Sequence, residues 1–162
     1  MPRVWGAAIV VTLLALAGMR ADAQASQLTV SGGLNLPSPA TIANYTAGYI
    51  CAGTLVATVT VITPRPNDPR TDFVYVSTDG PITGGALNKL SDFEWTTNPA
   101  GCSATTGWNS LTQVKAFVVQ GTGSGNGTVI VNQTIHFRLV LAWATDTGNS
   151  TLTMPNVLVT MN

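Results

Sequence analysis

The sequence predicts an all-β protein, folded as an antiparallel β-sandwich with one disulfide. Three observations carry this prediction. Threonine, valine, glycine and asparagine are abundant, whereas charged residues make up only 9% of the chain. Apolar residues recur at every second position in several segments, and turn residues separate those segments. This combination is typical of short strands joined by tight turns, with one face of each strand buried.

Residues 1–23 have the layout of a secretory signal peptide. Arg3 supplies a positive charge, an apolar run extends from position 4 to position 17, and small residues follow. We expect cleavage after Ala23, with cleavage after Ala25 as the alternative. The run is short for a membrane span, so an uncleaved anchor is the less favoured interpretation. We therefore expect a secreted protein, exported by the general secretory route to the extracellular space or cell surface.

The charge balance excludes several partners. Cleavage after Ala23 would lower the number of basic residues from 7 to 5 and of acidic residues from 7 to 6, a net charge of about −1. Such a chain has no basic surface for nucleic acid or for anionic lipid, so we expect no nucleic acid partner and no membrane association after cleavage. The remaining residues fit one domain with a single core.

The alternation predicts strands in chain order, joined by turns. In residues 55–61 and 135–141 the odd positions are consistently apolar, whereas several even positions are polar. The predicted strands are residues 27–36, 45–52, 54–63, 72–77, 90–96, 113–120, 128–144 and 151–161. The glycine-rich run 121–128 is predicted to be a hairpin connection, since glycine is free to adopt positive φ. Strands of this length favour an immunoglobulin-like sandwich, with a jelly roll or closed barrel as the alternative.

Cys51 and Cys102 are predicted to form one disulfide. An even pair in an exported chain favours a bond, and two cysteines with one distant histidine are too few for a metal site. The bond would close a loop of about 50 residues and stabilise the fold by roughly 3–4 kcal/mol.

No arrangement of residues indicates an enzyme. His136 is predicted to lie on the solvent face of its strand, away from any nucleophile elbow. Asp92 and Glu94 are predicted to project side by side from one strand, which suits a solvated face better than a pair facing across a cleft. We expect no catalytic residue, no metal and no cofactor.

Trp108 is the one aromatic residue predicted to lie exposed in a loop. It follows Thr106-Gly107 and precedes Asn109, all residues typical of turns. An exposed indole ring stacks on the apolar face of a sugar, so Trp108 is the candidate glycan contact. This predicts, as the alternative function, a monomeric carbohydrate-binding or adhesive module.

Residues 24–36 form a distinct N-terminal strand, followed by a sandwich domain at residues 37–162. Its apolar residues Leu28, Val30, Leu34 and Leu36 alternate, with Gly32 in the series. At the other end Val157, Val159 and Met161 alternate immediately before Asn162, so we expect the domain to close on its last strand.

The export signal, the disulfide and these two terminal strands resemble subunits of bacterial chaperone–usher pili and related spore-coat-like proteins. In that family each subunit has a pilin-like fold, which is an incomplete immunoglobulin-like sandwich. The N-terminal strand of one subunit completes the sheet of the next. The resemblance implies that Leu28, Val30, Leu34 and Leu36 fill pockets in a neighbour, and that Gly32 lies where a larger side chain would clash. It implies self-association by strand addition, with an export chaperone as a further partner. A self-contained sandwich with residues 28–36 as its own edge strand is the alternative.

Overall fold

The computed structural model describes residues 25–37, 40–63, 67, 69–82, 89–142 and 152–162. The predicted signal peptide, residues 1–23, lies outside the described residues. Within these ranges the strands are β1 (Gln27–Leu34), β2 (Tyr49–Thr63), β3 (Arg70–Thr78), β4 (Phe93–Thr96), β5 (Asn109–Ser110), β6 (Ala116–Gly123), β7 (Gly127–Val140) and β8 (Val157–Met161). One short helix, α1 (Ile42–Ala47), precedes β2. No helix in the described part of the chain is long and apolar enough to cross a membrane.

The described strands form two antiparallel sheets, which confirms the predicted all-β sandwich with one disulfide. The larger sheet has the order β1-β2-β7-β4-β5, and the smaller has the order β6-β3-β8. Across the core, β3 and β6 lie against β2, β6 also contacts β7, and β8 lies beside β1. The three-stranded sheet therefore covers only part of the five-stranded one.

The core lies between the sheets, on the alternating inner faces of β2 and β7. Ala57, Val59 and Val61 are completely buried on β2, and Ile135 and Phe137 are completely buried on β7. Each large apolar side chain removed from water contributes about 1.5–3 kcal/mol. The period-2 pattern in the sequence therefore predicts the buried face of both strands correctly.

The predicted strand at 45–52 is wrong in its first half, because residues 42–47 form α1. Thr41 caps the helix: its side-chain oxygen accepts a hydrogen bond from the Asn44 backbone N–H, and the Asn44 carboxamide oxygen accepts one from the Thr41 N–H. Gly48 ends the helix in the left-handed conformation. These capping residues were the sequence signal for a helix.

The predicted strands 45–52 and 54–63 are not separate, since β2 runs without a break from Tyr49 to Thr63. The pairing of β2 with β7 shifts between Cys51 and Gly53, which is a β-bulge. A glycine with φ of +119° allows this bend without ending the strand.

Several other boundaries differ from the prediction. Residues 90–92 form a 3₁₀ turn and not strand, because the Asp92 carboxylate accepts the Lys89 backbone N–H at 2.7 Å. Asp92 and Glu94 are therefore not side by side on one strand. The last strand begins only at Val157, and the two-residue β5 was not predicted. The glycine run is mostly strand: residues 121–123 end β6, residues 127 and 128 begin β7, and only residues 124–126 connect them. The connection is not a paired hairpin, since β6 and β7 belong to different sheets.

The disulfide between Cys51 and Cys102 is present, as predicted. The two Cα atoms are 5.9 Å apart, within the ordinary range for such a bond. It joins the bulge in β2 to a 3₁₀ turn at Gly101–Ser103, in the loop between β4 and β5. This loop is thereby held against the outer face of the larger sheet.

Replacing both cysteines, Cys51→Ser with Cys102→Ser, is expected to lower the free energy of unfolding by roughly 3–4 kcal/mol, because the unfolded chain regains its loop entropy. Denaturant unfolding of the oxidised parent and the double variant measures the difference. The reduced parent serves as the control and should match the variant. A loss below about 1 kcal/mol would contradict this account.

Candidate assembly interface

The N-terminal strand belongs to the chain's own sheet in this structure. β1 pairs with β2 along its whole length, from Gln27 opposite Thr60 to Leu34 opposite Gly53. The ladder continues one residue further, where the Asn35 N–H donates to the Ala52 carbonyl at 2.7 Å. No other described strand pairs with β1, so β1 is an edge strand of the larger sheet.

The four apolar residues predicted to fill pockets contact their own core, to different degrees. Leu28 and Leu34 are half-buried and pack against the core, and Leu36 is buried. Val30 faces the same side but is 40% exposed. The inner face of β1 is therefore incompletely covered by the smaller sheet.

Gly32 does lie where a larger side chain would clash, and the clash is with β2 of the same chain. A Cβ on Gly32 would be 2.3 Å from the Thr54 carbonyl oxygen, and one on Gly53 would be 2.3 Å from the Gly33 carbonyl oxygen. Both Gly32 and Gly53 have positive φ. The backbones of β1 and β2 can approach closely here because each strand carries a glycine, Gly32 on β1 and Gly53 on β2. These two glycines favour a single register for the pairing.

Gly32→Ala is expected to lower the free energy of unfolding by at least about 2 kcal/mol, because alanine is strained at positive φ and its methyl group meets a backbone oxygen. Gly33→Ala is the matched control, since a Cβ there has no neighbour within 4 Å. It should change stability by less than about 1 kcal/mol. Denaturant unfolding measures both, and amide hydrogen exchange shows whether β1 is the segment released. Equal effects at the two positions would contradict the glycine match.

β8 is a second edge strand, and the sequence did not predict that it would be one. β8 pairs with β3 on one side, from Val157 opposite Thr78 to Met161 opposite Val74, and no described strand pairs with its other side. Val157, Val159 and Met161 point inward and pack against the core, yet they are only half-buried. Alternation predicted this face, but the missing neighbour depends on the order of the strands.

Trp108 is half-buried, and not the free platform that was predicted. Its indole N–H donates to the Ala104 carbonyl at 2.8 Å. The Arg138 guanidinium carbon lies 4.0 Å from the centre of its ring and 5.3 Å from that of Tyr49. The Glu94 carboxylate, directly across from Arg138 on β4, accepts from the Arg138 Nη2 at 2.6 Å. One ring face is thus covered by a cation–π contact.

Arg138→Lys is expected to destabilise the fold by about 1 kcal/mol, since lysine keeps the charge but loses the planar stacking on the indole ring. A double-mutant cycle with Trp108→Leu isolates this contact, with an expected coupling of roughly 0.5–2 kcal/mol. Denaturant unfolding of the four proteins measures it. Additive losses would show that Arg138 and Trp108 do not interact in solution.

His136 and the acidic residues of the described part of the chain do not form a cluster that could hold a metal ion. His136 is half-buried on the outer face of β7, beneath Gly101 of the disulfide-linked loop. Asp72 is buried, and both its oxygens accept from the Arg70 Nε, at 3.1 and 3.2 Å. Among the described residues, no group of three or more histidine, cysteine and acidic side chains could hold a metal ion.

Comparison of the chain with protein-family models and with curated proteins returned no match.

Proposed function

We propose that this protein is a secreted structural subunit of an extracellular fibre, pilus or coat, in which copies are joined by exchange of β1. The observation that supports this most is that β1 pairs with only one of the described strands, in a register matched by Gly32 and Gly53. β2 of every copy carries the same match. A β1 strand from a neighbour would therefore make the same hydrogen bonds and contacts as the chain's own strand.

The composition of β1 also suits exchange between copies. The strand carries no charged residue that would oppose its transfer. In the assembled form, Leu28, Val30, Leu34 and Leu36 would enter the equivalent positions of the neighbour. An export chaperone, as in pilus systems, would hold the strand or its site before assembly.

A cross-strand cysteine pair tests the exchange directly. Thr29 and Thr58 are opposite each other on the outer face of the sheet, so the double variant Thr29→Cys/Thr58→Cys places two thiols within reach of a short bridging reagent. Assemblies of the exported protein are bridged, denatured without reductant, and separated by size. Exchange is expected to give a covalent ladder, and the single variant Thr29→Cys should give none.

The opposite result has an equally clear pattern. If assemblies form but bridging yields only single chains, then each β1 stays on its own β2 and the exchange mechanism is wrong. If the protein remains monomeric at all concentrations and in its native setting, the structural role itself fails.

The alternative of a glycan-binding module has less support. A sugar needs an open ring face, and one face of Trp108 is already covered by Arg138. Loss of glycan binding in Trp108→Ala, with unchanged assembly, would restore that alternative. We propose no catalytic role.

A further inference from the structure

The open side of β8 is a row of backbone hydrogen-bonding groups with a defined pattern. Phe73 and Asn162 exchange two hydrogen bonds, at 3.3 and 3.2 Å. In an antiparallel ladder such pairs alternate, so Thr160 and Leu158 also direct their backbone groups toward β3. The N–H and C=O groups of Val157, Val159 and Met161 therefore point to the open side. Only an extended strand satisfies such a row.

β8 lacks the features that protect the other edge strands from pairing with another chain. β5 has two residues, and β1 contains Gly32 at a positive φ. β6 has an irregularity in its pairing with β3, opposite Val74 and Tyr75. β8 keeps one register over all its pairs and carries no charge and no proline. A regularly paired, uncharged and mostly apolar edge strand is a template for pairing with another chain.

We propose that β8 forms an interface with β8 of a second copy, in which the two strands pair antiparallel about a two-fold axis at Val159. Val159 would then face its own counterpart, Val157 would face Met161, and Leu158 would face Thr160. No like charges meet, and the open groups of Val157, Val159 and Met161 find partners in the same three residues of the other copy. The two three-stranded sheets become one six-stranded sheet.

The β8 strand of a second copy fits this sheet edge better than the β1 strand of a second copy does. The positive φ of Gly32 and its close approach to the Thr54 carbonyl are matched by Gly53 on β2, whereas β8 has neither a glycine nor a bulge to receive such a residue. A second β8 also lies along the strip formed by the half-buried Val157, Val159 and Met161, which is incompletely covered in one chain. This interface is independent of β1 exchange.

Val159→Pro with Val159→Ala as its matched control tests the pairing. Proline removes an N–H that points to the open side and keeps every hydrogen bond to β3, so the fold should persist. Alanine shortens the same side chain but keeps the N–H. With β1 locked to β2 by the bridged Thr29→Cys/Thr58→Cys pair in each protein, we expect the parent and Val159→Ala to be dimers by light scattering, with dissociation constants within about threefold of each other. Val159→Pro should weaken the dimer at least about tenfold.

Cysteine placement gives a second measurement that does not depend on the proline variant folding. Val159→Cys should bridge to itself across the two-fold axis, whereas Val157→Cys, which faces Met161, should not. A monomeric parent, equal dimers in the proline and alanine variants, or equal bridging at positions 157 and 159 would each overturn the proposal. So would dimers that disappear when β1 is locked to β2 by the bridged Thr29→Cys/Thr58→Cys pair, because β1 exchange would then be their cause.

Discussion

The long antiparallel ladder between β2 and β7 is the constraint on which the rest of the structure depends. It runs from Tyr49 opposite Val140 to Thr63 opposite Gly127, with one bulge at Cys51 and Gly53. Its inner face supplies completely buried core residues such as Val59 and Phe137, and its outer face carries Arg138 and His136. β1 is attached to one side of this ladder and β4 to the other. Because side chains alternate with period 2, a slip of one residue would expose the whole core face and rearrange every attached element.

The bulge links the core to two other features of the fold. It places Gly53 where β1 approaches β2 most closely, and it places Cys51 where the disulfide reaches the loop between β4 and β5. The close approach sets the register of β1, while the disulfide fixes the loop that carries Trp108 near Arg138. The bulge in β2 thus positions both β1, the edge strand proposed for assembly, and the contact of Trp108 with Arg138 toward the other edge of the sheet.

The edges of the two sheets differ in how completely they are covered. Among the described residues, Arg138 forms an ion pair with Glu94 and Arg70 forms one with Asp72. Apolar surface is instead left partly uncovered along β1 and β8, as at Val30 and Val159. The backbone groups of an edge strand can bind another strand by hydrogen bonds that need no particular side chain. Edge strands of this kind therefore suit association between copies.

The sequence by itself determined the fold class, the disulfide partners and the inner faces of β2 and β7, because these depend on local alternation and on there being only two cysteines. It also contained the capping residues of α1 at Thr41 and Gly48, although β-forming neighbours obscured them. Only the tertiary structure decided that β1 pairs with its own β2, that one side of β8 has no partner among the described strands, and that Arg138 covers Trp108. Each of these facts depends on which distant segments become neighbours, and a periodic pattern reports the face of a strand but not the identity of the strand beside it.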